Sequence, residues 1–318
     1  MGVYRHHLLL FRMGGLGDLM VAYPAIYFLR RILSPCFISL VCRLEYGRLL
    51  RQTGIVDELI SVDSSWIAPL FNKALTPNQE FLTWLENFDL ITGWFQSKSD
   101  LLLDRFLSIS ENKVVHFIEA DQSLQEPLSF YFFRKTAEIF ARKEEMPAFS
   151  DYLFLPFNQK HREEGRKLLG NNDFWERNKP VVIHPGSGSQ KKCWPLENFL
   201  NLINQLDEKG VKGVVVTGMS EAWMEDKLKS FNWPRHWLWI HHPSLIKLAG
   251  LLAQSFFYVG NDSGITHLAA VCRTKGLAFF RQELVKLWQP AGPIITLSAS
   301  SLNIIKLEEV WIKIKKWI

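Results

Sequence analysis

Residues 181–197 read V-V-I-H-P-G-S-G-S-Q-K-K-C-W-P-L-E, and this stretch limits the fold more than any other. A β-branched run, Val181 to Ile183, ends in a loop of small residues, and Pro195 then opens a helical pattern. Strand, tight loop and helix in that order make up half of a parallel α/β unit. The same order recurs along the chain. In the first half, strands are expected at Leu8–Phe11, Phe37–Val41, Leu59–Val62, Leu90–Trp94 and Val114–Ile118, with helices over 18–33, 78–87 and 129–142. In the second half, strands are expected at 181–184, Gly213–Thr217, Phe256–Val259, Gly276–Phe280 and Ile294–Leu297. They alternate with helices over 195–209, 220–230, 243–253 and 264–272 and a last helix from about Leu307. The pattern predicts two doubly wound, Rossmann-like α/β domains with ligands beyond the carboxyl ends of the strands. At 318 residues the chain is long enough for two cores. The segment 143–160, with Pro147 and Pro156, reads as the crossing, giving domains 1–157 and 158–318.

Charge is divided unequally between these halves. Residues 1–157 carry 15 Lys and Arg against 18 Asp and Glu, whereas the rest carries 22 against 14. A basic second half suits an anionic ligand. Nucleic acid would favour the same sign, but no basic run is interleaved with aromatics and no DNA or RNA module is recognisable, so no nucleic-acid partner is expected. The four cysteines, Cys36, Cys42, Cys193 and Cys272, lack metal-like spacing and fit reduced thiols in a cytoplasmic protein. The first apolar run, Leu8 to Phe11, is too short for a secretory signal, and no run reaches the ~18 residues of a spanning helix. Peripheral membrane contact stays open.

Four motifs carry chemistry. In P-G-S-G-S-Q-K-K, the backbone around Gly186, Ser187 and Gly188 can turn amides toward an anion, and Lys191 and Lys192 add charge. In Y-V-G-N-D-S-G-I-T-H-L (258–268), Asp262 or Ser263 caps a helix whose opening amides face outward. His267 lies one turn in, either as a phosphate contact or as an ordinary core histidine. In T-G-M-S-E (217–221), Gly218 permits close approach and Glu221 can accept from ribose hydroxyls or simply complement a helix dipole. In R-M-G-G-L-G-D (12–18), Gly14, Gly15 and Gly17 form a loop that delivers Asp18 to a helix start. There the carboxylate is a helix cap or a reactive group. The spacing is not G-x-G-x-x-G, and no acidic residue ends the strand Phe37–Val41, so a nicotinamide-dinucleotide fold is a poor fit.

Taken in order, these motifs resemble glycosyltransferase family 9, best known for the ADP-heptose:lipopolysaccharide heptosyltransferases. The resemblance rests on G-L-G-D at 15–18 with Pro24 after it, H-P-G-S-G-S-Q-K-K-C-W-P at 184–195, T-G-M-S-E at 217–221 and V-G-N-D-S-G-I-T-H-L-A-A at 259–270. It implies a GT-B architecture, two Rossmann-like domains facing across a cleft, with acceptor on the first domain and nucleotide-sugar donor on the second. The implied reaction is inverting and metal-independent and needs no cofactor. The implied donor is ADP-heptose, and the implied acceptor is a lipopolysaccharide core or a related glycan or glycolipid at the inner face of the cytoplasmic membrane. By the same resemblance Asp18 is the catalytic base, Lys192 meets the donor diphosphate, Glu221 binds ribose, and Asp262, Ser263, Gly264 and His267 form the phosphate-binding turn. The chain departs from the pattern in three places: Val21 stands where a histidine is frequent, T-K-G-L-A-F-F-R carries Lys275 and Arg281 in place of Pro and Gly, and the terminal motif survives as Trp288, Pro290 and Gly292. Two other readings remain: a nucleotide-sugar epimerase, which would need further acid and base groups, and a binding protein without turnover. The last helix is expected to pack on the first domain, and its K-I-K-K-W-I end is a second candidate for interfacial contact.

Overall fold

The computed structural model describes residues 5–72, 74–96, 100–109, 114–121, 123–141, 147–170, 175 and 178–318. Residues 143–146, part of the expected crossing, lie outside them. The chain forms two compact units, Met1–Leu153 and Phe154–Ile318. Residues 154–157 join the second unit through specific contacts. The Leu155 amide donates to the Val271 carbonyl at 2.9 Å, and the Arg273 guanidinium lies 4.3 Å from the Phe154 ring centre.

In the first unit, β1 (His6–Phe11), β2 (Cys36–Cys42), β3 (Glu58–Ser61), β4 (Leu90–Phe95) and β5 (Val114–Glu119) form one sheet in the order β3-β2-β1-β4-β5, every pair parallel. The run Leu8–Phe11 is fully buried because both faces of a parallel sheet are covered, which is why it is apolar without alternation. Leu9, Phe11, Val41, Ile91, Phe81 and Phe106 share one core. The helix Leu16–Ile32 lies along the helix Leu128–Phe140, and Phe28 meets Phe133 edge-on at 5.6 Å. Leaving β1, the chain builds β2 and β3 on one side and β4 and β5 on the other. The carboxyl ends of β1 and β4 are therefore the switch point at which such sheets bind ligands.

In the second unit, β6 (Val181–His184), β7 (Gly213–Thr217), β8 (Trp237–His241), β9 (Tyr258–Asn261), β10 (Gly276–Arg281) and β11 (Ile294–Ala299) are ordered β11-β10-β9-β6-β7-β8, again all parallel. Its switch point lies between β6 and β9. Val181, Ile183, Trp194, Phe199, Val215, Val259 and Phe279 form the core, and Trp194 stacks on Phe279 at 4.5 Å. The helix Leu196–Glu208 covers one face with Phe199, Leu202, Ile203 and Leu206.

Several elements differ from the sequence expectation, among them the helices Asp100–Ile109, Gln159–Arg166 and Gln282–Trp288, where no regular element was predicted. Strand β8 is added at the edge; its W-L-W-I-H follows a Pro-Arg-His turn and is only partly buried, and its apolar run was not assigned as a strand from the sequence. Residues 219–230 are a 3₁₀ turn, Met219–Met224, followed by a short helix, Glu225–Ser230, instead of one continuous helix. The helix Leu44–Gln52 forms where no regular element was predicted. The terminal helix Leu307–Ile314 joins the second unit's core through Val310 and Ile314, where the sequence reading put it against the first domain. Trp317 beyond it meets Phe257 at 5.3 Å and carries Lys275 over its ring, so it is engaged in packing and not presented as an interfacial anchor.

Candidate functional site

In the first unit the helix starts at Leu16, two residues before Asp18. Asp18 is thus in the first helical turn, and its Oδ2 accepts from the Gly15 amide at 2.8 Å. Its Oδ1 accepts from Arg12 Nη2 at 2.9 Å and from Gln96 Nε2 at 3.1 Å. Arg12 also donates from Nε to the Asp18 carbonyl and from Nη1 to the Trp94 carbonyl, both at 2.7 Å, with its guanidinium 5.4 Å from the Phe132 ring centre. Burial pulls the Arg12 guanidinium down to about 10, against the attraction of Asp18, which raises it. The Asp18 side chain stays about a quarter exposed while that of its arginine partner is almost fully covered. A cap needs no such partner, and this fixed, accessible carboxylate at a switch point has the form of a reactive group. Gly14 is required here, because a Cβ on it would fall 2.6 Å from Asp18 Oδ2. Gly17 sits partly exposed in the first turn. Sequence reasoning missed Arg12 and Gln96. Their only signal was position, at the carboxyl ends of neighbouring strands.

In the second unit the loop after β6 and the turn after β9 are tied together. Asn261 is fully buried; its Nδ2 donates to the Pro185 carbonyl at 2.7 Å and its Oδ1 accepts from the Trp194 amide at 2.9 Å. Ser187 Oγ donates to the Asp262 carbonyl at 2.6 Å. Lys192 Nζ, from a 3₁₀ turn over Gln190–Lys192, pairs with Asp262 Oδ2 at 2.9 Å. Ser263 caps the helix Gly264–Val271 by accepting from the Thr266 amide. The opening amides at Gly264 and Ile265 are those an α-helix leaves without an intrahelical partner. Ser187, Lys192, Asp262, Ser263 and Gly264, all named from the sequence, are therefore gathered at one switch point. The Asp262 carboxylate is turned onto Lys192 and holds its ammonium. Asn261 was not foreseen as the tie between the two loops. His267 lies buried one turn along, its ring centre 6.1 Å from that of Trp288.

Glu221 closes the other side. It is 4% exposed, and its Oε2 accepts from the Gly218 amide at 2.6 Å. It packs against Gly186 so closely that a Cβ there would lie 2.2 Å from Glu221 Cγ. His184, fully enclosed, holds Nδ1 2.9 Å from the Val216 carbonyl. Burial drives its pKa down, against the opposing pull of Glu221 and the Val216 carbonyl. Burial thus favours the neutral ring, whose Nδ1–H donates to the Val216 carbonyl. A separate cavity of about 260 Å³ opens between Trp194, Trp223, Lys227 and Asn303, and none of the residues gathered at the switch point lines it. Among the described residues no group of three His, Cys, Asp or Glu is arranged to hold a metal ion, and no helix is long and apolar enough to cross a membrane.

Residues 121–310 match the family model of glycosyltransferase family 9 (heptosyltransferase). The chain belongs to this family. No curated protein matches it by sequence. Among solved structures it is similar to a glycosyl transferase family 9 protein from Veillonella parvula, at 16% identity and TM-score 0.76 over 100% of this chain and 98% of that one. It is likewise similar to ADP-heptose lps heptosyltransferase II of E. coli, at 16% identity and TM-score 0.73 over 98% of both chains. The E. coli heptosyltransferase WaaC with ADP aligns at 15% identity and TM-score 0.69 over 98% of this chain and 100% of that one. The protein is thus a family 9 glycosyltransferase with the two-domain, Rossmann-like GT-B fold. The family match covers the Lys192, Glu221 and Asp262–His267 motifs. Asp18 precedes it, within the span of the structural likeness.

Proposed function

We propose that this family 9 enzyme transfers a heptose from ADP-heptose to a lipopolysaccharide core or related cell-surface glycan, with inversion and without a metal. The observation that carries this reading is the Lys192–Asp262 pair held beside the opening amides of the helix Gly264–Val271. Breaking a sugar–diphosphate bond puts negative charge on the departing group, and a positioned ammonium with oriented amides stabilises that charge as a divalent cation would. Ser187 and Asn261 hold the two loops together, so the donors need no rearrangement when charge develops. Glu221 is the ribose acceptor, and His267 backs the phosphate turn. WaaC solved with ADP and with ADP-2-deoxy-2-fluoro heptose supports an adenine nucleotide-sugar as donor.

Asp18 is the general base. The acceptor hydroxyl gives it a proton, and the acceptor oxygen bonds to the anomeric carbon opposite the leaving group. As that bond forms, the bond to diphosphate breaks and its electron pair leaves with the diphosphate. One displacement inverts the centre. The acceptor loop is Gly14, Gly15 and Gly17. Because such acceptors are lipid-linked, the enzyme works in the cytoplasm at the inner face of the membrane. The test is Asp18→Asn, which keeps the shape but takes no proton at neutral pH. It should bind ADP-heptose as the native enzyme does and lose transfer by roughly 10²–10⁴-fold. A folded variant with native transfer removes Asp18 from the mechanism.

A further inference from the structure

We propose that Gln96 is a positioning residue for this transfer, and that Gln96 and Arg12 together direct the acceptor's proton to Oδ2 of Asp18 rather than Oδ1. The inference rests on reading Asp18 as the base. A carboxylate offers about two lone-pair sites on each oxygen. Both sites on Oδ1 are taken, by Arg12 Nη2 at 2.9 Å and Gln96 Nε2 at 3.1 Å. Oδ2 accepts one bond, from the Gly15 amide at 2.8 Å, and keeps one site for an incoming hydroxyl. The arrangement is rigid. Arg12 is anchored at three points and 4% exposed, so its fork cannot turn to leave Oδ1. Gln96 follows β4 directly, beside β1 in the sheet, and only the amino end of its carboxamide can face an ionised oxygen favourably.

In the reacting complex the hydroxyl proton moves to Oδ2 as its oxygen bonds to the anomeric carbon. The sugar–diphosphate bond breaks toward the leaving group, and the Asp18 carboxylic acid afterwards returns its proton to water. Gln96 touches no reacting atom. It stabilises the ionised base and fixes which oxygen is open. Among the described residues, charged and titratable groups that interact with Asp18 include Arg12 and Tyr46. Arg12 stands at the end of β1. Tyr46, on the helix Leu44–Gln52, has its hydroxyl pushed up first by burial and then by Glu45, with Arg43 opposing and Asp18 adding to the rise.

The test measures transfer from ADP-heptose to purified lipopolysaccharide core across pH for Gln96→Leu and the nearly isosteric Gln96→Glu. Circular dichroism and ADP affinity report folding. Removing a donor from an ionised carboxylate makes ionisation harder. Gln96→Leu should lower kcat about tenfold, leave the donor KM unchanged and move the acid limb of the kcat profile up by about one pH unit. Gln96→Glu sets a second carboxylate beside the first and should move that limb further the same way. Native kcat and an unmoved acid limb in both variants, with Asp18→Asn inactive, overturn the role of Gln96 and leave the base standing. Native transfer by Asp18→Asn overturns the base itself.

Discussion

Gly14→Ala tests whether Asp18 must sit where it does. A Cβ on Gly14 would lie 2.6 Å from Asp18 Oδ2, 2.7 Å from Cγ and 2.8 Å from Cβ. Ordinary contact begins at 3.4 Å, so the side chain must retreat by roughly 0.7 Å. Rotating Asp18 does not relieve the overlap, because its own Cβ is among the crowded atoms. The loop 12–17 or the helix start has to shift, drawing the carboxylate off Arg12, Gln96 and the Gly15 amide. Overpacking of this kind costs about 1–3 kcal/mol, a fall in Tm of about 2–4 °C per kcal/mol for a unit of this size. A displacement near 1 Å at a reacting group costs on the order of 10²-fold, so kcat should fall about 10- to 100-fold. Donor affinity should hold, since the residues proposed to hold the diphosphate belong to the second unit. Gly15→Ala is the steric control: its Cβ would meet Asp18 Oδ2 at 3.6 Å, an ordinary contact, so its Tm should fall less than that of Gly14→Ala. Steady-state transfer kinetics, with calorimetric binding of ADP, separate these effects. A folded Gly14→Ala enzyme with kcat within about twofold of native would refute the reasoning.

Lys192→Ala should weaken ADP binding by roughly tenfold or more in calorimetry, the worth of one charge-assisted contact. Asp262→Asn should weaken it less, because it loosens the ammonium without removing it, and equal or no loss in both would count against the pair's assigned role. His184 should make folding pH-dependent. The unfolded chain takes up its proton near pH 6.5, whereas the enclosed ring, its pKa lowered, stays neutral to lower pH. Stability is therefore unaffected by this residue above about 6.5 and falls as pH drops below it. Urea midpoints at about pH 7.5 and about 5.5 should differ less in His184→Gln than in the native protein, and an undiminished difference would exclude His184 as the cause.

Strands buried on both faces were legible because their sequences carry the burial themselves. V-V-I-H, G-V-V-V-T and G-L-A-F-F leave no alternative to a covered parallel sheet, and β6 and β7 occupy the predicted residues. The edge strand β8 was missed although its W-L-W-I run is apolar; a run that short fits a strand or a helix, and pairing with β7 decides it. The anion-suited loops were legible for the same local reason: small residues, a capping serine and nearby lysines are adjacent in the chain. Local sequence thus determined the capped helix start at Ser263 and brought Asp18 to a helix start. It could not determine what holds Asp18. Gln96 is 78 residues away along the chain, and Asn261 is 76 from the Pro185 carbonyl it binds. Nor could it show that Gly186 makes room for Glu221, or that the last helix closes the second unit's core. Those contacts depend on strand order. Only after β4 pairs with β1 and β9 with β6 do residues from distant segments share one sheet edge, and only then are the directions of their polar atoms set.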